Sequence, residues 1–312
     1  MNTPSNAMPE SSLNSQAIAP AAMSATRPMY WSVRRELWEN RSIYVAPLAA
    51  AAVVLLGFLI GQMYMPHTMR EPAEMDPAHQ LAMPYSHAAW LLMLTAFIVG
   101  VFYSLDALHG ERRDRSILFW KSLPVSDLTT VLSKASIPLV VLPLLVSAII
   151  VVTLLIMLLL STAFQPLTGV GASTLWARLP LFQMELVQIY SLAVLALWHA
   201  PLYGWLLLVS GWARRATFLW AVLPVLAICA FEFIAFHTSY FGSLLKNRLF
   251  GFASDAFSFT GPDGVPLDPH LILLTQLTPG KFLSTPGLWL GLGVTAALLA
   301  AAVRLRRYRG PI

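Results

Sequence analysis

Long apolar runs separated by short charged segments set the rhythm of the chain. A bilayer core of roughly 30 Å takes about 20 residues of helix. Six runs approach that length, at residues 43–63, 88–105, 136–160, 186–210, 217–237 and 286–303, and they predict six transmembrane helices. Ahead of them the period changes. Between Tyr30 and Arg41, a helical wheel gathers Tyr30, Trp31, Val33, Leu37 and Trp38 on one arc and Arg35, Glu36, Glu39 and Asn40 on the other. This predicts an amphipathic, Trp-bearing helix over 27–42 that lies in the membrane interface. Arg34 and Arg41 fall within the apolar arc, where a long stem can bury while its head reaches phosphate. Residues 1–26, rich in Ser, Ala, Asn and Pro with no basic residue before Arg27, read as a disordered cytoplasmic tail and not as a cleaved signal peptide.

Composition fixes the class. Charged residues make up 11% of the chain and hydrophobic ones 57%, whereas soluble domains carry about a quarter charged. The expectation is an all-α polytopic membrane protein. Its net charge of +5 does not form a patch suited to nucleic acid, because the basic residues sit between the apolar runs. With the first tail placed in the cytoplasm, fifteen of them fall in inside segments and five, Arg70, Arg178, Lys246, Arg248 and Lys281, outside. That bias puts both termini in the cytoplasm of a multi-pass cell (inner) membrane protein. Cys229 is the one cysteine, so the chain builds neither a disulfide framework nor a thiolate metal cluster.

The densest charge lies between the second and third runs, from Asp106 to Lys134. Glu111, Arg112, Arg113, Asp114, Arg115 and Lys121 crowd around Ile117, Leu118, Phe119 and Trp120, the pattern of a short amphipathic helix facing a soluble partner. Pro124 ends it, and Ser126 is placed to cap a new helix with Asp127 in its first turn. Asp106 is expected to pair with Arg112 or Arg113.

Other residues carry candidate chemistry. Glu232 lies inside the fifth run, where a carboxylate is costly and reads as an ion pair with Lys246 or Arg248, or as part of a substrate path. His199 precedes Pro201 in the fourth run and reads as a core histidine or a proton relay; Pro138 and Pro143 are expected to kink the third. The outer loop 62–87 holds Met63, Met65, His67, Met69, Met75, His79, Met83 and His87. Such ligand types suit a soft ion such as Cu(I), against the plainer reading of an interfacial loop, and no metal ligand is assigned. The outer loop 238–285, with apolar runs Leu249–Phe252 and Leu271–Leu274, suits re-entrant or interfacial helices. No G-x-x-x-x-G-K-[ST], H-E-x-x-H or G-x-S-x-G motif occurs, so no catalytic residue and no nucleotide site is expected on this chain.

The loop Glu111-Arg112-Arg113-Asp114-Arg115-Ser116 followed by Lys121-Ser122-Leu123-Pro124-Val125-Ser126 carries a family resemblance. It resembles the type-2 ABC exporter permeases, whose loop runs E-R-x-x-G/R-[ST]-[IL] and then S-L-P-[VL]-S, and this chain follows the pattern through Lys134. The resemblance, covering about residues 30–309, implies a six-helix permease domain over 43–309 with a cytoplasmic coupling helix in 106–134. It implies a dimer with a second permease chain, identical or not, and a separate ABC ATP-binding subunit that binds ATP and Mg. Glu111, Arg112, Arg113 and Arg115 would then make polar contacts to that subunit, and Leu118, Phe119 and Trp120 would anchor the helix in its groove. The alternative is a proton-coupled secondary transporter using Glu232 and His199.

Overall fold

The structure is a computed structural model that describes residues 26–64, 77–122, 125–164, 181–259 and 274–310. Helices make up its regular elements, apart from one antiparallel pairing of Phe257 with Leu277. In chain order they are α1 (Thr26–Glu39), α2 (Ser42–Tyr64), α3 (Pro77–Asp106), α4 (His109–Arg113), α5 (Ile117–Ser122), α6 (Asp127–Ser136), a π-helical turn (Ile137–Val141), α7 (Leu142–Ala163), α8 (Leu181–Trp198) and α9 (Ala200–Trp212). Then follow α10 (Thr217–Phe236), α11 (Tyr240–Phe250), α12 (Phe252–Ala256), a 3-10 turn (Leu274–Gln276), α13 (Pro279–Ser284) and α14 (Pro286–Tyr308).

Among the described residues, five helices are long and apolar enough to cross a membrane: Ser42–Met63, Ala82–Arg113, Asp127–Ala163, Thr217–Phe236 and Pro286–Tyr308. A sixth span exists if α8 and α9, bent by 49° at their junction, count as one. Large apolar side chains on these helices, among them Leu56, Leu144, Phe231, Ile234 and Leu290, point outward. Such a surface needs hydrocarbon around it, so the chain is an all-α polytopic membrane protein.

Proline shapes two of the spans. Pro138 has no N–H to donate, and the helix widens into the π-helical turn beside it. Pro201 sits in the first turn of α9, where its missing donor is harmless, and the bend falls at His199. That bend opens a wedge, which the segment after α10 fills. Ala256 and Phe257 at the end of α12 and Phe282 of α13 pack with Val194 and Trp198 of α8 and Leu288 of α14. His199 lies about 20 Å along α9 from Trp212, and its Nε2 meets the Leu249 carbonyl at 3.2 Å. The segment therefore packs against the bend between α8 and α9; residues 260–273 of the outer loop lie outside the described residues. At Gly204 α9 packs against α14, where a Cβ would meet Thr295 Cγ2 at 3.4 Å, an ordinary van der Waals contact.

Candidate functional site

One end of the bundle gathers α1, α4, α5, α6 and the C-terminal end of α14. Ser126 accepts the Thr129 amide at 3.0 Å as the expected N-cap, and Asp127 occupies the first turn of α6. Two turns on, Lys134 points inward and is 2% exposed. Opposite it, α4 starts where the Leu108 and His109 amides donate to Ser210 Oγ of α9, at 3.0 and 2.9 Å. This fixes Glu111 facing the interior. The last turn of α14 brings Arg306 to the same point.

These side chains form a buried ion network. Lys134 Nζ donates to Glu36 Oε1 at 2.8 Å and lies 3.1 Å from Glu111 Oε1. Arg35 Nη2 reaches Glu111 Oε1 at 2.6 Å and Glu36 Oε1 at 2.9 Å. Arg306 donates through Nη1 to Glu111 Oε2 and through Nε to Asp127 Oδ1 at 3.1 Å. Tyr103 of α3 donates to Glu36 Oε2 at 2.8 Å. Three cations thus face Glu36, Glu111 and Asp127, with Glu39 at the exposed edge 3.4 Å from Arg35 Nε. Burial disfavours the Arg35 charge, but Glu36, Glu111 and Glu39 outweigh it and hold its pKa above the usual value. Taking such charges out of water costs several kcal/mol per ion, so the arrangement persists because each ion has partners.

The structure separates the residues expected to meet a partner. Glu111 and Arg112 are buried within this chain, which corrects the expectation that they make polar contacts outward. Arg112 lies against the C-terminal end of α9, its Nη1 donating to the Gly211 and Ala213 carbonyls at 2.7 and 3.2 Å, a favourable place for a cation. Trp120 is half-buried, with the Arg35 guanidinium 3.8 Å from its ring centroid. Arg113 and Arg115 are exposed. Arg113 takes up Asp106 at 3.7 Å and Asp114 at 3.0 Å; exposed pairs of this kind contribute little. Leu118 and Phe119 stand out from the surface, 59% and 60% exposed.

Arg115 turns the chain between α4 and α5 with φ 58. A left-handed L-residue costs about 1–2 kcal/mol, more than the extra chain entropy of glycine. Arg115→Gly is therefore expected to leave the protein equally stable or up to about 1 kcal/mol more stable, measured by thermal unfolding in detergent. A clear loss of stability would mean that the Arg115 side chain holds this turn.

Glu232 does not form the ion pair expected of it, whereas His199 takes the place of a core histidine. Glu232 pairs with neither Lys246 nor Arg248; its carboxylate accepts the Tyr240 and Phe241 amides at 2.6 and 2.8 Å and Thr238 Oγ1 at 3.1 Å. It caps α11 from the preceding helix. Glu232→Ala is expected to cost about 1–2 kcal/mol, the scale of a lost cap, and unchanged unfolding of that variant would refute the role. His199 is buried, with Nδ1 2.9 Å from the Leu195 carbonyl and Nε2 facing Leu249, and no hydrogen bond joins it to Glu232. The sequence reading missed Glu185, one residue ahead of the fourth apolar run. It lies half-buried on α8 and accepts a hydrogen bond from Ser147 Oγ at 3.0 Å.

Of the Met/His loop, residues 65–76 lie outside the described residues, while Met83 and His87 belong to α3. Among the described residues no three His, Cys, Asp or Glu side chains cluster as a metal site would require. Comparison with protein-family models, with curated proteins and with solved structures finds no match to this chain.

Proposed function

We propose that the chain is the permease subunit of an ATP-driven ABC exporter, working as a dimer and coupled through α5 to a separate ATP-binding subunit. The observation that carries this reading is the placement of α5. Its outer side offers Leu118 and Phe119 to a groove, while its inner side is anchored by buried Ile117 and by Trp120 on Arg35. A push on that helix acts on Arg35 and so on charges belonging to α1, α4, α6 and α14. The loop pattern gains physical sense as well. Its Glu and Arg are buried structural charges, and its G/R position falls on Arg115, whose left-handed φ suits glycine. On this reading the charged end is cytoplasmic, ATP and Mg belong to the partner, and the apolar faces meet lipid or the second permease chain.

The test is capture of an ATP-binding subunit by tagged chain from detergent-solubilised membranes, native against Leu118→Ala/Phe119→Ala. Retention of an active ATPase by the native chain and its loss from the folded variant is the expected result. No ATPase with either folded protein removes the exporter reading and favours the proton-coupled one.

A further inference from the structure

The outward face of α1 is not an ordinary apolar stripe. Tyr30, Trp31 and Trp38 are exposed, and between the two indoles lies the Arg34 guanidinium, 5.2 Å from the Trp31 ring centroid and 5.0 Å from that of Trp38. Arg34 has no carboxylate or hydrogen-bond partner among the described residues, and neither does exposed Arg41 at the junction with α2. The acids of α1 point elsewhere. Glu36 is fully buried, and Glu39 turns to Arg35. This face therefore presents two unneutralised guanidinium groups with exposed indoles at the rim of an apolar bundle.

We infer that this face binds the phosphate headgroups of anionic phospholipids. Tryptophan settles at headgroup depth, where one end is apolar and the other wet. The ring contacts hold the Arg34 plane in place with its N–H groups unfilled, a geometry suited to two-point contact with phosphate. Net positive charge without a nearby acid selects an anionic headgroup over a zwitterionic one. The site is independent of any transported substrate or ATPase partner.

The experiment titrates the purified full-length chain in a neutral maltoside detergent with dioctanoyl phosphatidylglycerol or dioctanoyl phosphatidylcholine, counting bound lipid by native mass spectrometry. The native chain should favour phosphatidylglycerol. Arg34→Gln or Arg41→Gln should weaken that binding about fivefold, and the pair about thirtyfold, with lipid-free melting temperature unchanged. Arg304→Gln/Arg307→Gln, which removes two exposed cations from the same end, should keep the preference. Equal binding of both lipids to the native chain, or a preference that survives loss of Arg34 and Arg41, overturns the proposal.

Discussion

Glu111→Gln is expected to destabilise the folded chain by about 3–5 kcal/mol, the cost of removing one member from a buried ion network. Glutamine keeps the shape but not the charge. Arg35, Lys134 and Arg306 all meet Glu111, so the variant leaves an unneutralised cation with Lys134 2% and Arg306 4% exposed. Against a typical total of 5–15 kcal/mol, this is a large fraction. Thermal unfolding of the detergent-solubilised protein, followed by tryptophan fluorescence, measures it. Glu111→Gln/Lys134→Met should recover part of the loss. There Arg35 and Arg306 again balance Glu36 and Asp127, and partners in one network do not add independently. A single variant that melts within about 0.5 kcal/mol of native, the range of ordinary surface changes, would mean that the network is not closed as described.

Where the sequence was informative, one physical signal dominated its surroundings. Runs such as 136–160 leave helix in lipid as the ready solution, and Ser126 before Asp127 marked a helix start whatever packed around it. Charge was harder to read. On α1 the wheel grouped Val33 and Leu37 with Trp31 and Trp38, but the first two pack on the core and the indoles face out, and it left the polar arc without its partners. Arg35, Glu36 and Glu39 turn into the protein edge, because Lys134, Glu111 and Arg306 await them there, while Trp31 and Trp38 face out. A wheel knows only its own helix, and a buried polar arc needs partners 67 to 98 residues away in sequence. The same blindness applied to Glu111 and Arg112. Dense charge in a loop reads as solvated surface unless the partners from other elements are known, cations for Glu111 and helix-end carbonyls for Arg112. Glu232 failed for a local reason, since its acceptors' partners are backbone amides of the next helix, and those leave no mark on side-chain chemistry.

Trp120→Ala and Leu118→Ala/Phe119→Ala should separate the two faces of α5. Leu118 and Phe119 bury little within this chain, so removing them should leave thermal stability within about 0.5 kcal/mol of native. If they fill a groove on an ATPase, each is worth about 1.5–3 kcal/mol there, and the pair should weaken association about 10²- to 10⁴-fold. That is enough to abolish co-purification. Trp120 has the opposite signature. Its ring covers the Arg35 guanidinium, and such a contact is worth about 0.5–2 kcal/mol depending on exposure. Trp120→Ala should therefore lower the melting temperature and loosen α5, while leaving the Leu118 and Phe119 side chains to bind. The expected outcome is an ATPase that still co-purifies but responds less to the permease. Association lost in Trp120→Ala and kept in Leu118→Ala/Phe119→Ala would reverse the assignment and make the tryptophan, not its exposed neighbours, the anchor.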